Sequence, residues 1–171
     1  MIFGNVDKFA IYVEDINQKL TKVLVYLDGI PIGTEQSQTF LPGFIQSAKF
    51  FSQSSELPDF MKNLSDAEKL KLARGDSDLN GSENDILIAN EFIVSSWAET
   101  FDDFLIMKYK QEQKIIFLWK LIETEGYKFH FTYPSKFINK LHKSTIEQSD
   151  IERVVKELLE CVEKSNGRSD S

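Results

Sequence analysis

Few side chains in this sequence could do chemistry, and their spacing decides most of what they can do. Asp76, Asp78, Asn80 and Gly81 follow the D-x-D-x-N-G order that opens a calcium loop. Oxygen donors at alternate positions and a glycine at the sharp turn suit a hard cation. The twelfth position of such a loop is Leu87, where a bidentate glutamate belongs, and no helix is clearly expected to follow. A solvated turn accounts for the same residues. Asp102 and Asp103, with Glu99 nearby, stand at the entrance to a long apolar segment. Paired carboxylates can hold a metal or exchange protons. Neighbours on a strand face opposite sides, so these two converge only at a bulge, and no histidine lies near them.

His130 is flanked by two aromatics on an expected strand and faces away from them, while His142 falls at the end of an expected short helix. Neither has a cysteine or aspartate companion at metal-ligand spacing. Cys161 borders an apolar helical stripe and is expected to be a packed, inert thiol. There is no glycine-rich phosphate loop, no G-x-S-x-G and no C-x-x-C. The residues therefore point to no catalytic set and no cofactor.

The segments that must position these residues are better defined. Residues 101–122 (FDDFLIMKYKQEQKIIFLWKLI) alternate with a period of two on either side of a polar break at 111–114. That pattern predicts a central hairpin whose second strand, apolar on both faces, sits mid-sheet. Residues 9–14 read as a first strand. Asp28-Gly29 between two apolar runs predicts a tight hairpin, with Pro31 limiting the returning strand to an edge. Thr39 is placed to cap a helix that turns Phe40, Phe44, Ala48 and Phe51 to the core. Ser65 and Glu68 form a capping-box pair for a second, peripheral helix that stops at Gly75.

Residues 76–85 read as a polar loop, 86–89 as ambiguous, and 92–95 as a strand. Residues 127–133 (YKFHFTY) predict an amphipathic strand beside the hairpin, and 134–143 a short helix. Ser149 and Glu152 signal the last helix, whose stripe of Ile151, Val154, Val155, Leu158, Leu159 and Val162 must bury against a sheet. The expected fold class is α+β: one domain over residues 1–164, with a largely antiparallel twisted sheet and helices packed mainly on one face. Residues 165–171 are expected to form a frayed tail.

Composition narrows the function. The 171 residues carry 20 Lys+Arg against 27 Asp+Glu, a net charge of −7. An acidic surface repels phosphate backbones, which disfavours nucleic acid as a direct partner and favours a basic protein. One cysteine permits no internal disulfide. No apolar run approaches the ~20 residues of a membrane span. The first residues lack the basic-then-apolar order of a signal peptide, so the expected location is the cytoplasm.

Met1-Ile2-Phe3-Gly4-Asn5 leading into Phe9-Ala10-Ile11, the D-G hairpin, and Trp97…Phe101-Asp102-Asp103-Phe104…Phe117-Leu118-Trp119 together resemble a family of bacterial immunity proteins. These neutralise the toxin domains of polymorphic-toxin and contact-dependent growth-inhibition systems. The resemblance covers about half of the chain and leaves residues 56–90 without a counterpart. It implies a cytoplasmic non-enzyme that binds a cognate toxin domain and blocks its active site or substrate access. A nuclease toxin has a basic groove, which an acidic inhibitor can occupy. On that reading the candidate partner-binding residues are Glu14, Asp15, Glu99, Asp102 and Asp103, with Trp97 as a partly exposed aromatic anchor. The rival readings are a small metal-binding enzyme, using residues 76–81 or Asp102-Asp103, and a structural adaptor module.

Overall fold

A computed structural model describes residues 1–75, 81–94, 97–122, 129 and 132–166, the side chains of Glu99 and Asn166 aside. The architecture is α+β with antiparallel pairing throughout the three sheets. Strands β1 (Ile2–Asn5), β2 (Phe9–Val13), β4 (Val23–Leu27) and β5 (Ile30–Ile32) form the first, in the order β1-β2-β4-β5. The hairpin from β4 to β5 turns on Asp28 and Gly29 at φ 50° and 78°, the positive values that a two-residue turn requires. Pro31 lies on the edge strand, where its missing N–H costs no ladder bond. A two-residue ribbon, β3 (Leu20–Thr21) with β6 (Thr39–Phe40), forms the second sheet.

The third sheet holds the central hairpin, β7 (Phe104–Gln111) and β8 (Lys114–Leu121), closed at Glu112 with φ 57°. Strand β8 lies mid-sheet, as its two apolar faces require, but its second neighbour is β9 (His142–Glu147). The strand expected over residues 127–133 falls largely outside the described residues. Of them, 127, 128, 130 and 131 lie outside the described residues, so His130 does too, while Phe129 and Tyr133 pack against the core without joining a sheet. Strand β9 escapes a hydrophobic reading because only Ile146 among its buried residues is apolar, Ser144 being the other. His142 belongs to this strand and stacks on Trp119 at 4.1 Å, rather than ending a helix. Of the segment read as that helix, only Ser135–Phe137 is helical, as a single 3₁₀ turn.

The two faces of the hairpin serve different cores. Phe104 and Ile106, with Ile115, Phe117, Trp119 and Leu121, join the first sheet in one core. Leu105, Met107 and Tyr109, with Ile116 and Leu118, face a second core built on the helices α2 (Asp59–Lys62), α3 (Asp66–Arg74) and α4 (Glu83–Asn90). The α3 helix, expected to be peripheral, buries Leu70, Leu72 and Ala73 there. Its cap is as expected: Glu68 N donates to Ser65 Oγ at 3.3 Å, Ser65 N donates to Glu68 Oε2 at 2.7 Å, and Gly75 ends it at φ 79°. Ser65→Ala should lower unfolding free energy by about 1 kcal/mol, read as a shifted urea midpoint at constant slope.

Three local expectations change. The 86–89 segment is helical, in α4, capped by Ser82 and Asp85, so a helix does follow the polar loop. Residues 76–80 of that loop lie outside the described residues. Ile93 makes a single bridge to Met107, and no strand forms over the described part of 92–95. Helix α1 (Leu41–Ala48) starts after Phe40, which gives no side-chain cap; Thr39 is buried in β6 and Phe40 is 56% exposed. The core face of α1 is Leu41, Phe44, Ile45 and Ala48.

The last helix, α5 (Gln148–Asn166), begins one residue before Ser149, directly out of β9. It packs on β1 and β2 through Ile151, Val154, Val155 and Leu158. It also runs into the segment expected to fray, where Ser165 Oγ donates to Asn17 Oδ1.

Candidate functional site

The segment carrying most of the candidate residues is tied to the first sheet by threonines. Thr34 N donates to Thr100 Oγ1 at 3.1 Å, and that hydroxyl donates back to Thr34 O at 3.2 Å, both groups buried. This clamp sets the 3₁₀ turn Glu99–Phe101 beside α1, where Phe101 stacks on Phe44 at 6.1 Å. Trp97 just upstream is 5% exposed. Its ring lies 4.4 Å from Phe51, 5.5 Å from Phe101 and 6.0 Å from Phe117. The tryptophan is thus an aromatic keystone between the segment after α1 and β8, not a partly exposed anchor.

The acidic candidates separate. Asp102 is exposed, whereas Asp103 is 1% exposed and engaged inside the fold. The adjacent pair therefore does not converge, and Asp103 presents no carboxylate to a partner. Glu14 is exposed and pairs with Lys22 at 3.2 Å. Asp15 Oδ1 accepts from Asn17 N at 2.9 Å and Asn17 Nδ2 at 3.1 Å, closing its own loop. The side chain of Glu99 lies outside the described residues. Among the described residues, no three His, Cys, Asp or Glu side chains are grouped to hold a metal.

The structure also presents residues that the sequence reading missed. Leu20 and Phe40 face each other in the ribbon register and are 52% and 56% exposed. Phe50, beyond the end of α1, is 57% exposed. Two clefts open between these side chains. One, of about 350 Å³, lies between Leu20, Phe40 and Trp97; the other, of about 330 Å³, between Phe50, Trp97 and Lys108. Ser47 and Trp97 line both, which makes one apolar face along α1. Exposed apolar side chains gathered on one face mark an interaction surface more often than scattered ones do. Phe40 was hidden in the sequence because it falls at helical spacing from Phe44, and Leu20 because it sits in a polar stretch.

A further cleft of about 390 Å³, on the other side of β7, is bordered by Lys62, Lys69, Lys110 and Lys143. Asp59 pairs with Lys62 at 2.8 Å, while Asp66 accepts Lys69 at 3.4 Å and Lys143 at 3.0 Å. Most of that positive charge is already answered.

The sequence profile of one family, Immunity protein 42, matches residues 1–161. The chain belongs to the Immunity protein 42 family. Membership extends over the middle of the chain, where no resemblance was legible, as well as over the opening strands and the central hairpin. The fold is similar to that in the crystal structure of CdiI from Burkholderia dolosa AUO158, with a TM-score of 0.57 and 16% identity. The match covers 93% of this chain and 98% of that one. At this identity the likeness is one of fold. No curated protein matches the chain. Among the described residues, no helix is long and apolar enough to cross a membrane.

Proposed function

We propose that this Immunity protein 42 family member binds a cognate toxin domain in the cytoplasm and neutralises it by covering its active site or its substrate's path. It acts by occupation and catalyses no reaction itself. The observation that carries this reading is the family match over residues 1–161. Two physical features support it. The apolar side chains of two joined cores make a rigid platform, and Leu20, Phe40 and Phe50 are left outside on one face of it. The net charge of −7 favours encounter with a basic surface, such as the substrate groove of a nuclease.

The direct test is co-expression with its cognate toxin domain. Growth rescue and co-purification of a stable complex are expected; failure of both would reject the reading. The acidic contribution is tested separately. Glu14 and Asp102 are the exposed members of the acidic set among the described residues, so Glu14→Lys with Asp102→Lys should slow association about tenfold at low salt and much less at high salt. Association rates unchanged at both ionic strengths would remove electrostatic steering by these residues.

A further inference from the structure

Lys108 is out of character with its surroundings. It projects from β7 on the same face as Phe104 and Ile106, and reaches the cleft between Phe50 and Trp97. Its ammonium donates to the carbonyl oxygens of Phe50 and Gln53, the latter at 2.6 Å. An ammonium has three N–H donors, so one remains for the cleft. Among the described residues no carboxylate pairs with Lys108, although acidic residues outnumber basic ones in this chain. No other titratable side chain lines the cleft among those residues.

We propose that this cleft is a receptor for a carboxylate side chain of the toxin domain. The carboxylate accepts from the Lys108 ammonium, while an adjoining apolar side chain of the toxin packs against Phe50 and the edge of Trp97. This inference rests on the toxin-binding reading and names the contact that would carry it. Charge complementarity selects the occupant. The cleft supplies a positive charge with no acidic partner among the described residues, framed by apolar walls that suit a protein side chain. A nucleic acid would have to approach a chain of net charge −7. A second copy apposed face to face would set Lys108 against Lys108, and the two copies repel overall.

The titration of Lys108 agrees with this geometry. Burial lowers its pKa from 10.5 to about 8. A bound carboxylate favours the charged form and raises that value again. Binding is therefore strongest below pH 8, and weakens as the pH rises through the pKa of the free protein.

The test is calorimetric titration of the full chain with the inactive toxin domain at pH 7 and pH 9.5, for the wild type, Lys108→Met and Phe50→Ser. The wild-type Kd should rise at least about tenfold between the two pH values. Lys108→Met should weaken binding about tenfold or more at pH 7 and flatten the pH response. Phe50→Ser, at a position 57% exposed, should keep the fold and weaken binding too. If Lys108→Met does not fold, the wild-type pH response and Phe50→Ser still decide. Wild-type affinity in folded variants, with an unchanged pH response, overturns the carboxylate receptor and leaves toxin binding standing. No binding by the wild type overturns both. A dimer that Phe50→Ser dissociates, with toxin affinity unaffected, would assign the face to self-association instead.

Discussion

Gly4→Ala is expected to lower the unfolding free energy by about 2–5 kcal/mol, combining backbone strain of about 1–2 with overpacking of about 1–3. Gly4 adopts φ +92°, a conformation that L side chains rarely take. A Cβ there would stand 2.5 Å from Phe9 O and 2.5 Å from Val154 Cγ2. Neither neighbour can yield cheaply. Phe9 O is main chain in the strand paired with β1, and Val154 is a fully buried residue of α5. The glycine is what lets the last helix lie close on the first two strands. Urea denaturation should show the midpoint falling at constant slope. Gly29→Ala is the control: it also has positive φ, +78°, but its Cβ would meet only Asp7 Oδ1 at 4.0 Å. Equal losses at the two glycines would refute the role assigned to the packing of α5.

Trp97→Ala should cost about 3–5 kcal/mol of stability, because it empties a site walled by Phe51, Phe101 and Phe117. An exposed anchor would behave otherwise, losing partner affinity while stability stayed within about 0.5 kcal/mol. Trp97→Phe, which keeps a ring in the site, should recover part of the loss. Thermal and urea unfolding of the isolated protein distinguish the two cases without any toxin. A variant as stable as the wild type would return Trp97 to the surface and undo the account of the aromatic cluster.

The acidic candidates show how far a linear reading reaches. Asp102 and Asp103 look equivalent as letters, yet one is exposed and the other 1% exposed. The alternation of a strand predicts that they diverge, but not which one turns inward. Leu20, Phe40 and Phe50 make the opposite case. Each is an apolar residue, and Phe40 even falls at core-face spacing, yet each is more than half exposed. Their exposure follows from the pairing of β3 with β6 and from the place where α1 ends, neither of which is marked nearby in the chain.

What the amino-acid order determined alone was everything governed by neighbours. It set the positive-φ turn at Asp28-Gly29, the Ser65–Glu68 cap with its stop at Gly75, the alternation of the central hairpin, and the buried stripe of α5. These depend on backbone sterics and side-chain period within a few residues, so they are legible without knowing the rest. The tertiary structure alone decided that β9 pairs with β8, that Trp97 and Asp103 are enclosed, and that Lys108 lines an apolar cleft with no acid beside it among the described residues. Those outcomes are set by contacts between segments tens of residues apart, where the competition is among whole surfaces and no local pattern records the winner.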